Sequence, residues 1–152
     1  MIGAGPTGLV SALTFAKAGY EVAVIDPVNR AGAAATKYSD RPPDLRTTAH
    51  LSPTVEFLKN LGAWNEISRN ACALEKLVII EDTSQNPTFG SRKSTVFDPL
   101  EVGNQNFGYN VPIKDNLEGL AKLARANRSI TMIFGVGLKT IIQDDKVVSG
   151  IL

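Results

Sequence analysis

Three glycines in the opening run Met1-Ile2-Gly3-Ala4-Gly5-Pro6-Thr7-Gly8 restrict this chain more than any other feature. In a G-x-G-x-x-G spacing the first glycine permits a tight strand-to-helix turn. The second lets the backbone approach a pyrophosphate with no Cβ in the way, and the third lets the helix pack closely on the strand. The required context follows. Leu9, Ala12, Leu13 and Ala16 recur at helical spacing, and Gly19 sits where a C′ glycine ends a helix. Glu21 to Ile25 is a short, mostly apolar run, as a buried parallel strand has, and Asp26-Pro27 closes it. The reading is a strand–turn–helix–strand unit. Its helix N-terminus offers N–H groups and a positive dipole end to phosphates, and the Asp26 carboxylate can accept hydrogen bonds from an adenosine ribose. Only Met1 and Ile2 precede Gly3, so the first strand, normally about 5–6 residues long, is expected to be short.

Farther along, residues 28–45 read as a long irregular loop containing Gly32, a run of alanines, Pro42 and Pro43. Loops of that length suggest ligand contact. Ser52-Pro53 reads as an N-cap plus N1 proline opening a helix to about Leu61, with Gly62 ending it. A second short helix is expected over Trp64–Arg69. Leu74–Thr83 is rich in β-formers, 84–93 reads as a polar turn, and Ser94–Phe97 as a weaker strand. Residues 98–107 carry no clear pattern. Asp115 with Glu118 resembles a capping box, and the helix after it sets Leu117, Leu120, Ala121 and Ala124 on one face. Ile130–Phe134 reads as a strand, and 139–151 as a hairpin turning at Asp144-Asp145. No repeat and no linker divides the chain.

Composition narrows the function classes. The 152 residues fit one domain, and 43% hydrophobic with 20% charged residues describes a globular chain. Sixteen basic residues against fifteen acidic leave a net charge of +1, with no basic run, so nucleic acid is not an expected partner. A single cysteine, Cys72, excludes an internal disulfide and any multi-cysteine metal site. A single histidine, His50, leaves little for a histidine-rich metal centre, and no metal is expected. Nothing basic precedes Lys17, which argues against a secretory signal, and no apolar run is long enough to span a membrane. The expected address is cytoplasmic, with peripheral membrane association left open.

With these motifs in hand, the chain resembles a known family. Gly3-Ala4-Gly5-Pro6-Thr7-Gly8-Leu9 looks like the start of the class A flavoprotein monooxygenases, the para-hydroxybenzoate hydroxylase-like group. Asp44-Leu45-Arg46-Thr47-Thr48-Ala49, then Leu51-Ser52, then Phe57-Leu58-x-x-Leu61-Gly62-Ala63-Trp64, is similar to the ubiquinone-biosynthesis hydroxylases within it. Phe107-Gly108-Tyr109-Asn110-Val111-Pro112 resembles the same family's glycine-tyrosine strand. Together the matches span nearly the whole chain in the family's order.

The resemblance implies an α/β, Rossmann-like FAD-binding domain over residues 1–152, incomplete at both ends and carrying an added β-strand region. It implies FAD as cofactor, NAD(P)H and oxygen as co-substrates, and hydroxylation of a small aromatic ring, with a prenyl tail left open. A ubiquinone-pathway role would bring association with a membrane surface or a biosynthetic complex. Carried over residue by residue, Gly3, Gly5, Pro6 and Gly8 would face the FAD pyrophosphate, Asp26 the adenosine ribose, and Arg46 would reach the FAD. No catalytic side chain is expected, because the cofactor carries the chemistry. His50 reads as packed or surface-facing and not catalytic, Trp64 as a packing residue and Cys72 as a small apolar one.

The sequence departs from the family at several points. Asp26 stands for a commoner glutamate, His50 for leucine, and Ile113 for an asparagine. The later Asp-Gly and Gly-Asp motifs do not occur. The expectation is an N-terminal portion of such an enzyme, poorly soluble and inactive alone, binding FAD weakly or not at all. The alternatives are an NAD(P)-dependent Rossmann dehydrogenase, another FAD enzyme of the same fold such as a halogenase or reductase, and a dinucleotide-binding module without turnover.

Overall fold

The computed structural model describes residues 1–28, 44–81, 93–143 and 148–151. Most of the loop expected over 28–45, all but Lys93 of the polar turn expected over 84–93, and the Asp144-Asp145 turn lie outside the described residues.

The opening unit folds as its pattern requires. Helix α1 runs Pro6–Lys17 and buries Leu9, Ala12 and Leu13. It ends in a Schellman arrangement: the Gly19 amide donates to Ala16 O at 3.0 Å and the Tyr20 amide to Phe15 O at 3.1 Å. Strand β1, Val22–Asp26, follows. Met1–Gly3 lies parallel beside it. Ile2 forms a bridge with Ile25, the Gly3 amide donates to Ile25 O at 2.7 Å, and the Ile25 amide to Met1 O at 2.9 Å. The short first strand is therefore anchored despite its length.

Three strands and three helices then build the body of the domain. Strand β2, Thr47–Leu51, leads into α2, Ser52–Asn60, and α3, Trp64–Ile67. Short strand β3, Cys72–Ala73, comes before β6, Gly108–Pro112, which joins directly to α4, Ile113–Ala126. Strand β6 is central in an antiparallel sheet of order β2-β6-β3, with His50 opposite Tyr109 and Cys72 opposite Asn110. After α4, strand β7, Ile130–Phe134, returns to pair in parallel with β1, Val24 opposite Met132. The chain thus passes from a parallel pair to an antiparallel sheet and back.

One core joins these layers: Leu9, Ala12 and Leu13 of α1, Val24 of β1, Leu58 of α2, Ile67 of α3, Leu120 and Ala124 of α4, and Ile130 of β7. Helices α3 and α4 approach closely at Gly119, where a Cβ would stand 2.8 Å from both Glu66 O and the Ile67 Cγ2. A Lys122–Glu66 ion pair at 2.7 Å lies across the same contact.

Two hairpins stand apart from this core. Strands β4, Leu77–Glu81, and β5, Lys93–Phe97, pair antiparallel with Leu77 opposite Phe97. Strands β8, Thr140–Gln143, and β9, Val148–Ile151, pair likewise. A 3-10 turn over Pro99–Val102, capped by the Asp98 carboxylate, links the first hairpin towards β6.

Several local expectations need correction. The Ser52 hydroxyl does not cap α2 but donates to Phe107 O at 3.2 Å, tying the helix start to the approach of β6; Leu51 holds the cap position. Asp115 does not open a capping box. Helix α4 starts three residues earlier than a cap at Asp115 requires, straight after Pro112 and without a side-chain cap, and Asp115 accepts from Asn70 Nδ2 at 2.9 Å. Of the strand expected over 74–83, the described part forms β4 over Leu77–Glu81, and the separate two-residue β3 lies wholly before that range. Cys72 is exposed and not packed as an apolar residue.

Candidate functional site

The glycine turn sits where Met1–Gly3 meets α1. Gly3 adopts φ +93°, which side chains rarely do. A Cβ on Gly8 would lie 2.0 Å from Gly3 O, so the third glycine is required by the packing of the helix on the turn. Gly5 differs. Its backbone is ordinary and extended, φ −73° and ψ 176°, and a Cβ there would meet nothing within 4 Å. The space in front of Gly5 is open.

That space lies at the N-terminus of α1. Gly5 is the N-cap, without a side chain to cap it, and the first turn carries no acidic residue. The first intrahelical bond shown is from the Leu9 amide to Gly5 O at 2.9 Å. Pro6, in the first turn, has no N–H. The Thr7 and Gly8 amides make no hydrogen bond among the described residues. Open donors, a positive dipole end and no Cβ form an anion cradle.

Asp26 closes the site from the strand side. It is 6% exposed; its Oδ2 accepts the Ala4 amide at 2.7 Å and its Oδ1 the Val28 amide at 2.8 Å. Its own carbonyl accepts the Gly135 amide at 2.9 Å, which fixes the end of β1 against β7. Gly3, Gly5, Pro6, Gly8 and Asp26 are therefore assembled in one place. These residues fit the pyrophosphate and adenosine half of a dinucleotide such as FAD: a phosphate cradle that a Cβ at Gly5 would obstruct, beside a carboxylate.

Arg46 stands elsewhere, immediately before β2. Its side chain is 81% exposed. It forms a bidentate pair with Asp44, Nε to Oδ1 at 2.9 Å and Nη2 to Oδ2 at 2.7 Å. The side-chain hydrogen bonds, then the Arg46 backbone amide, hold the Asp44 carboxyl down at about 2, while the arginine is pushed upward by the same partner. No described contact joins Arg46 to the glycine turn.

His50 belongs to a separate polar cluster. Asn116, 1% exposed, turns its amide nitrogen towards Val111 O and Pro112 O, each at 3.4 Å. Its Oδ1 then faces His50 Nε2 at 2.8 Å, so Nε2 is the protonated nitrogen. Trp64 packs edge-on to His50, ring centroids 6.4 Å apart, and against Tyr109 at 5.3 Å. Neither the role of Asn116 nor the pairing of Asp44 with Arg46 is read from the sequence. The signal for Asn116 was available as one polar residue in the stripe Asn116, Leu120, Ala124. Asp44 lies two residues from its partner, a spacing with no periodic signature.

Residues 1–64 match the family of NAD(P)-binding Rossmann-like domains. No curated protein matches the chain. Among solved structures it is similar to the p-nitrophenol 4-monooxygenase PnpA of Pseudomonas putida, with 20% identity and a TM-score of 0.70 over 98% of this chain and 34% of that one. It is also similar to the flavin-dependent monooxygenase PieE, solved with FAD and substrate, with 18% identity and a TM-score of 0.67 over 98% of this chain and 25% of that one. A flavoprotein/dehydrogenase from Cytophaga hutchinsonii gives 17% identity and a TM-score of 0.64 over 94% of this chain and 31% of that one. The chain thus spans a quarter to a third of these structures. Its fold is a Rossmann-like dinucleotide-binding fold of mixed α/β type. Within that class, the same arrangement of elements occurs in these solved structures. Among the described residues, no helix is long and apolar enough to cross a membrane.

Proposed function

We propose that this domain binds FAD and serves a flavin-dependent monooxygenase that hydroxylates a small aromatic substrate with NAD(P)H and oxygen. The observation that carries the reading is the open space before Gly5 at the N-terminus of α1, where the Thr7 and Gly8 amides have no partner among the described residues and Asp26 holds the neighbouring Ala4 amide. In this reading Thr7 and Gly8 hold the pyrophosphate and α1 stabilises its charge. Asp26 accepts from the adenosine ribose. Arg46 reaches the cofactor when it leaves Asp44 or carries it along. FAD, when bound, supplies oxygen activation and passes electrons from NAD(P)H; the protein supplies position and shielding.

The ubiquinone-pathway assignment rests on the segment from Asp44 to Trp64 and on Gly108–Pro112, which resemble that family, and on nothing in the site itself. It carries with it the proposed peripheral association with a membrane or biosynthetic complex. A pure NAD(P)-binding domain is the competing reading, favoured by the sequence match over 1–64. The antiparallel β2-β6-β3 sheet inserted between β1 and β7 weighs against it, because a regular Rossmann dehydrogenase continues its parallel alternation.

Equilibrium titrations with FAD, NADH and NADPH, followed by flavin fluorescence and calorimetry, separate the two. FAD binding at least about tenfold tighter than either nicotinamide, about 1.4 kcal/mol, is the expected result. Nicotinamide binding without flavin binding overturns the FAD reading. Ring-hydroxylated product from the natively purified protein, with NAD(P)H oxidation that depends on a phenolic substrate, tests the activity.

A further inference from the structure

We propose that Asp26 is a positioning residue for the pyrophosphate cradle, acting through the Ala4 amide, and not only a group that faces the ribose. The inference rests on the reading of the glycine turn as a pyrophosphate site and deepens it. Two consecutive amides of the turn are tied to the end of β1. Gly3 N–H goes to the Ile25 carbonyl at 2.7 Å and Ala4 N–H to the Asp26 carboxylate at 2.7 Å. Ala4 is 1% exposed and Asp26 6%, so the second bond is made in the interior, where a charge-assisted bond is strong and a lost one leaves a buried donor without a partner.

The second carboxylate oxygen holds the Val28 amide at 2.8 Å, so the side chain cannot turn away without losing another bond. With Gly3 and Ala4 held inward, the following open amides, at Thr7 and Gly8, face the cradle. The carboxylate therefore sets the shape of the turn that receives a pyrophosphate, even when that ligand has no ribose to touch.

Asp26→Asn tests this because it is nearly isosteric but replaces one acceptor oxygen by an NH2, which must then meet the Ala4 or the Val28 N–H donor to donor. Asp26→Glu restores two acceptor oxygens. Two readouts are taken by protein-detected NMR: hydrogen exchange of the Ala4 amide, and shift titration of the Gly5, Thr7 and Gly8 amides with inorganic pyrophosphate. The wild type is expected to protect Ala4 far beyond Thr7 and Gly8. Asp26→Asn is expected to lose that protection and weaken pyrophosphate by about tenfold or more, and Asp26→Glu to recover both.

Ala4 exchanging as fast as Thr7 in the wild type overturns the proposal, and that measurement needs no variant to fold. Unchanged pyrophosphate binding in Asp26→Asn, with only adenosine-containing ligands weakened, overturns it too. A wild type that takes pyrophosphate at the turn but not FAD, with Ala4 protected and Asp26→Asn impaired, sustains the positioning role while the FAD reading fails.

Discussion

Gly5 and Gly8 are both fingerprint glycines, yet the structure gives them opposite physical roles, and alanine at each position separates the two. At Gly8 an added methyl would sit 2.0 Å from Gly3 O and 3.1 Å from the Gly3 carbonyl carbon. Neither neighbour is the end of a flexible side chain. Gly3 is held by its bond to Ile25 O, so relief requires moving α1 or the turn. Forced overpacking of this kind costs about 1–3 kcal/mol. Alanine in place of glycine inside a helix returns up to about 1 kcal/mol, which leaves Gly8→Ala destabilised by up to about 2 kcal/mol, towards the upper end because both close neighbours are backbone atoms.

At Gly5 nothing lies within 4 Å of the added carbon, and φ −73° suits alanine. Gly5→Ala is therefore expected to leave stability unchanged or raise it by about 0.4–1 kcal/mol through the unfolded chain. The same methyl occupies the proposed pyrophosphate space and is expected to weaken FAD by about tenfold or more. Urea denaturation of the three proteins, followed by Trp64 fluorescence, gives the stabilities, and flavin titration gives the affinities. A Gly8→Ala protein as stable as the wild type would refute the packing argument. A Gly5→Ala protein with wild-type FAD affinity would refute the cradle.

Asn116→Ala is expected to cost about 1–3 kcal/mol in denaturant unfolding, because it removes the buried acceptor of His50 Nε2–H; a double-mutant cycle with His50→Ala should show coupling between the two. The Asp44 carboxyl carbon is expected to titrate by NMR with a midpoint of about 2. Since its folded pKa is depressed, the pair's contribution is present above the ordinary carboxylate value of 3.8 and is lost as pH falls through about 2; Arg46→Ala should return the midpoint upward. The β4–β5 hairpin exposes Val78, Ile80 and Val96 on one face and Leu77, Ile79 and Phe97 on the other. Val78→Thr with Ile80→Thr should reduce hydrophobic-dye binding and self-association with little change in stability; an unchanged light-scattering profile would count against that surface.

The opening unit was legible because its determinants are local. Helical spacing, a C′ glycine and a short apolar run ending in Asp26 each act within a few residues. The strand Ile130–Phe134 was legible as a strand for the same reason, but not its pairing with β1. That partnership closes a loop of about a hundred residues and is decided by packing against α1 and α4, not by local pattern. The two misread caps share this cause. Ser52 and Asp115 have the right chemistry for capping, but Phe107 O and Asn70 Nδ2, distant in sequence, claim their side chains. At the site, the glycines and Asp26 could be named from spacing, whereas the division of labour between Gly5 and Gly8 could not. It depends on where Gly3 O lies once the helix is seated. The Ala4 amide was invisible for a similar reason, since any residue but proline supplies one.

The central claim is that the turn at Gly5 and the Asp26 carboxylate receive the two ends of the adenosine pyrophosphate half of FAD. A crystal structure of the chain with FAD tests it most directly. Pyrophosphate oxygens are expected within hydrogen-bond distance of the Thr7 and Gly8 amides, with ribose hydroxyls on Asp26. FAD ordered at any other place on the chain, with the space before Gly5 left to solvent, would contradict it.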